Sequence, residues 1–124
     1  MSNIMLVDDD RTNVRLMKML LEMDGFNVTI CRDVTAAKAA ATSQIEAFVV
    51  DYHLSNNEVG LDLLHAIRKA ETQAHQNTPI IMTTGDHRQG PAALKAGANT
   101  FMLKPFAPSE LAETLSQILH KHQS

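Results

Sequence analysis

The sequence predicts an α/β fold in which one parallel sheet is covered by helices on both faces, a doubly wound three-layer sandwich. Five short apolar runs alternate with stretches whose apolar residues recur at helical spacing. A regular β-then-α order needs parallel strands joined by right-handed crossovers. Charged or hydroxyl residues also follow directly on four of the five apolar runs, which puts them on one rim of the sheet.

Ile4-Met5-Leu6-Val7 reads as a first buried strand, stopped by Asp8-Asp9-Asp10. From about Asn13 to Met23, Val14, Met17, Leu20 and Leu21 mark a helix that Asp24-Gly25 ends. Val28-Thr29-Ile30-Cys31 is the second strand, and the Ala-rich stretch Thr35 to Thr42 the second, weaker helix. Ala47-Phe48-Val49-Val50 forms a third strand ending at Asp51. Leu61, Leu64 and Ile67 mark the third helix, followed by a polar link. Pro79 to Thr83 reads as the fourth strand, and a short helix around Ala92 to Ala96 is closed by Gly97. Phe101-Met102-Leu103 is the fifth strand, and Pro108 opens a last helix with Leu111, Leu115, Ile118 and Leu119 on one face. At this length the natural arrangement is a flavodoxin-like (βα)5 sheet of order 2-1-3-4-5.

The 124 residues fit one domain, 1–124. Aromatics make up only 4%, so aliphatic and Met side chains must fill the core. A formal charge of −3 gives no reason to expect nucleic-acid or anionic-membrane binding. Cys31 is the single cysteine, which excludes an internal disulfide and fits a reducing compartment. No apolar run approaches the roughly 18–20 residues of a membrane span, and the short apolar N-terminal stretch does not read as a signal peptide. A soluble cytoplasmic domain is the expectation.

Ligands of open α/β sheets bind beyond the carboxyl ends of the strands. Here those ends carry Asp8-Asp9-Asp10, Asp51, Thr84-Gly85-Asp86 and Lys104-Pro105. In the order above, the first, third and fourth strands are adjacent, so these groups converge. Gathered carboxylates repel, and a bound cation relieves that cost. Hard oxygen donors suit Mg²⁺, which takes one or two carboxylates together with phosphate oxygens. A Lys, a Thr hydroxyl and the backbone N–H after it suit an anionic phosphoryl group. A central carboxylate can serve as nucleophile. Taken singly, each residue has a plainer role. A lone Asp at a strand end caps the next helix, the role expected of Asp10, and Asp86 would cap or solvate its loop. A lone Lys is a surface charge. It is the joint occurrence at four strand ends that carries weight.

The segments IMLVDDDRTNVR, AFVVDYHL, PIIMTTGD and ALKAGANTFMLKPF resemble the receiver domains of two-component signalling, over nearly the whole chain. The resemblance implies that Asp51 is phosphorylated and that Asp9 binds Mg²⁺ directly, with Asp8 in support and the His53 carbonyl as a further ligand. Thr84 would be the switch hydroxyl, Lys104 the phosphate-pairing lysine before a cis Pro105, and Phe101 the switch aromatic. Backbone contacts to the phosphoryl group fall to Tyr52 and Gly85, and His53 and Asp86 would tune its lifetime. The implied donors are sensor histidine kinases, histidine phosphotransfer proteins or small acyl phosphates. A downstream protein or fused domain would read the surface near the fourth helix, fifth strand and fifth helix, the face through which a homodimer would pair. No output domain follows in this chain, so direct DNA binding is not expected.

The sequence departs from the family pattern in places. Ser55 stands where many members have Pro, and Gly60 comes one residue late, so a longer, less constrained loop is expected after Asp51. Gly85 replaces a more frequent Ala. The interval from Thr84 to Gly97 is about two residues short and contains Gly90-Pro91, which predicts a short or irregular fourth helix. His53 is expected to face solvent, and His120-Lys121-His122 to be a frayed helix end rather than a metal site.

Other readings compete. Asp8-x-Asp10-x-Thr12 also resembles the first motif of haloacid-dehalogenase-type phosphatases, with Asp8 as nucleophile and Asp10 as acid/base. That reading leaves Asp51 unexplained and lacks a later acidic pair. A phosphorylation-independent interaction module would not need the full set of polar residues. A nucleotide-binding domain would need a Gly-rich turn after the first strand.

Overall fold

The computed structural model describes residues 2–54 and 57–123, with side chains through residue 121. The expectation about Ser55 therefore lies outside the described residues, as does that about the His122 side chain.

Five strands alternate with five helices: β1 (Asn3–Val7), α1 (Arg11–Met23), β2 (Asn27–Cys31), α2 (Val34–Ala40), β3 (Ala47–Asp51), α3 (Gly60–Arg68), β4 (Ile80–Thr84), α4 (Gly90–Lys95), β5 (Thr100–Leu103) and α5 (Pro108–Gln123). All strand pairs are parallel, in the order β2-β1-β3-β4-β5. This is the doubly wound fold that the sequence predicts.

Side-chain alternation along the strands divides the core in two. Met5 and Val7 of β1, Phe48 and Val50 of β3, and Ile80 and Met82 of β4 pack with Leu63, Leu64 and Ile67 of α3 and Ala37 of α2. Ile4 and Leu6, Val49 and Ile81 face the other way, onto Val14, Met17 and Leu21 of α1 and Leu111 and Leu115 of α5. Each of the Val, Leu, Ile, Met and Phe side chains among them contributes about 1.5–3 kcal/mol on full burial. No described helix is long and apolar enough to cross a membrane.

Boundaries follow local chemistry. α1 starts two residues before the expected Asn13 because Asp10 caps it, accepting from the Asn13 N–H at 3.1 Å. Asp33 caps α2 through Ala36 N at 2.7 Å. α2 stops at Ala40, short of the expected Thr42, where Ala41 turns extended and the Thr42 hydroxyl takes the Gln44 N–H. β4 begins at Ile80 rather than Pro79, because proline lacks the N–H a ladder needs. The fourth helix is short, as expected: a 3₁₀ turn at His87–Gln89 leads into the six residues of α4, with Pro91 in its first turn.

The described residues on either side of 55–56 in the loop after Asp51 are tied together. His53 bridges Val59 in antiparallel fashion, and Leu54 N donates to the Glu58 carbonyl at 3.0 Å. The Glu58 carboxylate accepts from Val34 N at 3.1 Å, and Gly60 N donates to the Tyr52 carbonyl at 2.7 Å. Gly60 is required for space. A Cβ there would collide with the Asp51 carbonyl and lie 2.9 Å from Val50 Cγ1, so glycine lets α3 start directly above the end of β3.

Candidate functional site

Adjacency of β1, β3, β4 and β5 gathers Asp8, Asp9, Asp51, Thr84 and Lys104 at one end of the sheet. Carboxylate oxygens of Asp8, Asp9 and Asp51 lie within 4.8 Å of one another. Lys104 Nζ donates to Asp8 Oδ2 at 3.1 Å and to Asp51 Oδ2 at 3.0 Å. Asp8, only 3% exposed, is further held by the Asp10 N–H at 3.0 Å and the Asn13 side chain at 3.5 Å. The Lys104–Pro105 peptide is cis, as expected.

The electrostatics are unbalanced. Burial pushes the Asp51 carboxyl above its ordinary 3.8; Lys104 pulls it down, but Asp8 and Asp9 add to the rise. Burial by itself would lower the Lys104 ammonium, yet its contacts with Asp51 and Asp8 carry it above the ordinary 10.5. Both partners of the ion pair thus move upward. The ammonium is surrounded by more carboxylate than it can neutralise, and Asp51 is short of positive charge.

Thr84 is 1% exposed, and its hydroxyl is engaged by the segment that follows β4. It donates to Gln89 Oε1 and accepts from Asp86 N at 3.1 Å, with the Asp86 carbonyl at 3.4 Å. The Gln89 amide continues to His53, whose Nε2 lies 2.9 Å from Gln89 Nε2. The exposed His53 ring is therefore tethered rather than merely solvated, with Tyr52 packed edge-on at a centroid distance of 5.0 Å. Asp86 caps the 3₁₀ turn through Arg88 N at 2.9 Å. Hydrogen bonds from Arg88 hold its carboxyl down at about 2. Phe101 is half-buried against the α3-side core, its ring filling the space a Cβ of Gly90 would occupy.

One expectation is corrected. The Tyr52 N–H donates to the Thr83 carbonyl at 2.8 Å, so the β3–β4 ladder consumes it and it is not available to a phosphoryl group. Gly85 is exposed and a Cβ there would meet nothing within 4 Å, leaving its approach open. Asp10 stands outside the carboxylate cluster as the exposed cap of α1. Sequence reasoning missed Gln89, Asn13 and Glu58. A cavity of about 730 Å³ lies near Ile45, His75 and Pro79, at the opposite rim, and none of the clustered charges lines it.

The chain matches the response regulator receiver domain family over residues 4–116. It belongs to that family. The transcriptional regulatory protein CpxR of Escherichia coli K12 is 37% identical over 98% of this chain, which spans half of that relative's length. Chemotaxis protein CheY-3 of Vibrio cholerae is 33% identical over 95% of this chain and 92% of its own. Among solved structures, the receiver domain of NtrX from Brucella abortus superimposes with a TM-score of 0.84 at 26% identity, covering 94% of this chain and 98% of its own. The Francisella response regulator 1452 receiver domain shares the fold, with a TM-score of 0.87 at 23% identity over 98% of this chain and 99% of its own. The molecule is thus a two-component response regulator receiver, a signalling domain whose acidic pocket comprises Asp8, Asp9 and Asp51.

Proposed function

We propose that this receiver accepts a phosphoryl group on Asp51 from a phosphohistidine donor. The observation that carries the reading is Lys104, whose single ammonium joins Asp8 and Asp51 beside Asp9 at 3.1 and 3.0 Å. Such a site has hard oxygen donors and surplus negative charge, which fits Mg²⁺. Asp8, Asp9, Asp51 and the His53 carbonyl would hold it. Bound there, Mg²⁺ supplies charge neutralisation for the incoming phosphoryl oxygens.

Asp51 attacks phosphorus through a carboxylate oxygen, the P–N bond to the donor imidazole breaks, and the imidazole leaves with its bonding pair and is protonated. Lys104 then pairs with the phosphoryl oxygens. With Tyr52 N–H committed to the ladder, the backbone amides assigned to the phosphoryl group are those of His53 and Gly85. The added charge, about −1.5 to −2, draws the Thr84 hydroxyl inward, and Phe101 follows. His53 and Asp86, flanking this path, set access of water to the acyl phosphate.

A sensor histidine kinase or a histidine phosphotransfer protein is the assigned donor, in the cytoplasm. A downstream protein, a fused domain or a second copy reads α4, β5 and α5, where Leu94 and Leu103 are exposed. Intact-mass analysis after incubation with acetyl phosphate and Mg²⁺ tests the reading. One added phosphoryl group on the wild type and none on Asp51→Asn is expected; equal labelling of both contradicts it.

A further inference from the structure

Gln89 belongs to none of the roles above, yet it stands between two residues that have them. Its Oε1 accepts from the Thr84 hydroxyl, and its Nε2 lies 2.9 Å from His53 Nε2. One side chain therefore bridges the loops that follow β4 and β3, the two strand ends that frame Asp51. A hydroxyl has one proton to donate, and in this state Thr84 spends it on Gln89. Its oxygen also accepts from the Asp86 N–H at 3.1 Å. Thr84 cannot present that proton to a group on Asp51 and keep the bridge.

The next residue adds a second link. Gly90 opens α4, and the Phe101 ring occupies the space where its Cβ would be. Residues 89 and 90 thus hold a polar contact to Thr84 and an apolar seat for Phe101 on adjacent backbone units. A shift of this segment that releases one disturbs the other.

We propose that Gln89 is a positioning residue, an amide latch that ties Thr84 to His53 in the unphosphorylated receiver and opposes its switching. The proposal rests on the assignment of Thr84 as the switch hydroxyl. A contact made in only one of two states biases the equilibrium toward that state. Losing the latch therefore favours the phosphorylated-like state.

The test is an NMR titration with beryllofluoride, a mimic of the carboxyl phosphate, at fixed Mg²⁺. Gln89→Leu removes both hydrogen bonds and keeps much of the volume, and Gln89→Met serves as a second variant should the first fold poorly. The apparent affinity of the variant is expected to be about fivefold tighter than wild type, the scale of one net hydrogen bond. In a Thr84→Val background the same substitution is expected to change nothing, whereas in Thr84→Ser the gain persists. Unchanged or weaker affinity in Gln89→Leu overturns the latch. So does a gain that survives in Thr84→Val, which would assign Gln89 a packing role. Failure of the wild type to bind beryllofluoride overturns the phosphoacceptor reading and the latch with it.

Discussion

Lys104 Nζ lies 3.0 Å from Asp51 Oδ2, a contact that joins the end of β5 to the end of β3 across the intervening β4. The same ammonium reaches Asp8 on β1. The residue is partly buried, and its backbone N–H donates to the Thr84 carbonyl at 2.8 Å. A cation shared among strand ends in this way offsets their carboxylates and ties the strands together.

Lys104→Met is accordingly expected to destabilise the metal-free protein by about 1–3 kcal/mol, since it removes two charge-assisted hydrogen bonds and leaves carboxylates facing each other. Urea unfolding measures this. The loss should shrink in millimolar Mg²⁺, which supplies replacement charge.

Mg²⁺ itself is expected to raise the melting temperature of the wild type. At a hundredfold excess over Kd the linkage amounts to about 2.7 kcal/mol. Asp51→Asn and Asp9→Asn are expected to weaken the response, and Asp10→Asn, altering the cap of α1 alone, to leave it intact. Differential scanning fluorimetry across a Mg²⁺ series reads all four proteins.

The raised Asp51 carboxyl gives a pH signature. Its folded pKa lies above the unfolded value near 3.8, so the folded state binds that proton more tightly than the unfolded chain does. Stability therefore falls as the pH rises through this window, and at neutral pH the ionised Asp51 costs stability. In metal-free buffer, Asp51→Asn is expected to melt above wild type at pH 7. The gap should close as the pH is lowered toward 3.8. A constant gap across the range would contradict this origin.

Gly90→Ala places a methyl group where the Phe101 ring sits. The ring is expected to be displaced outward and α4 destabilised, by about 1–3 kcal/mol as for other overpacked sites. The NMR signals of the Phe101 ring and of Ala93 on the buried face of α4 report the displacement. A spectrum unchanged except at residue 90 would mean that the ring has room to spare.

Much of this was legible in the sequence because it follows from periodicity and position. Ile4 to Val7 and Ala47 to Val50 read as buried strands, and a parallel sheet then obliges whatever follows them to share a rim. Asp8, Asp9, Asp51 and Lys104 met for that reason. Asp10 and Asp86 took the capping roles that their places before a turn suggested. Contacts between loops were not legible. The length and direction of the Gln89 side chain decide its bridge to Thr84 and His53, and no spacing rule encodes them. Gly90 read as a weak helix former, whereas its lack of a side chain serves Phe101. The Tyr52 amide looked available only because the register of β3 on β4, Asp51 opposite Thr83, cannot be read from either strand alone.

Reduction of the acyl phosphate with borohydride, followed by peptide mass mapping, locates the modified carboxylate. After treatment with acetyl phosphate and Mg²⁺, homoserine is expected at position 51 and nowhere else. Homoserine at position 8, or none at position 51, would contradict the central claim that Asp51 is the phosphoacceptor.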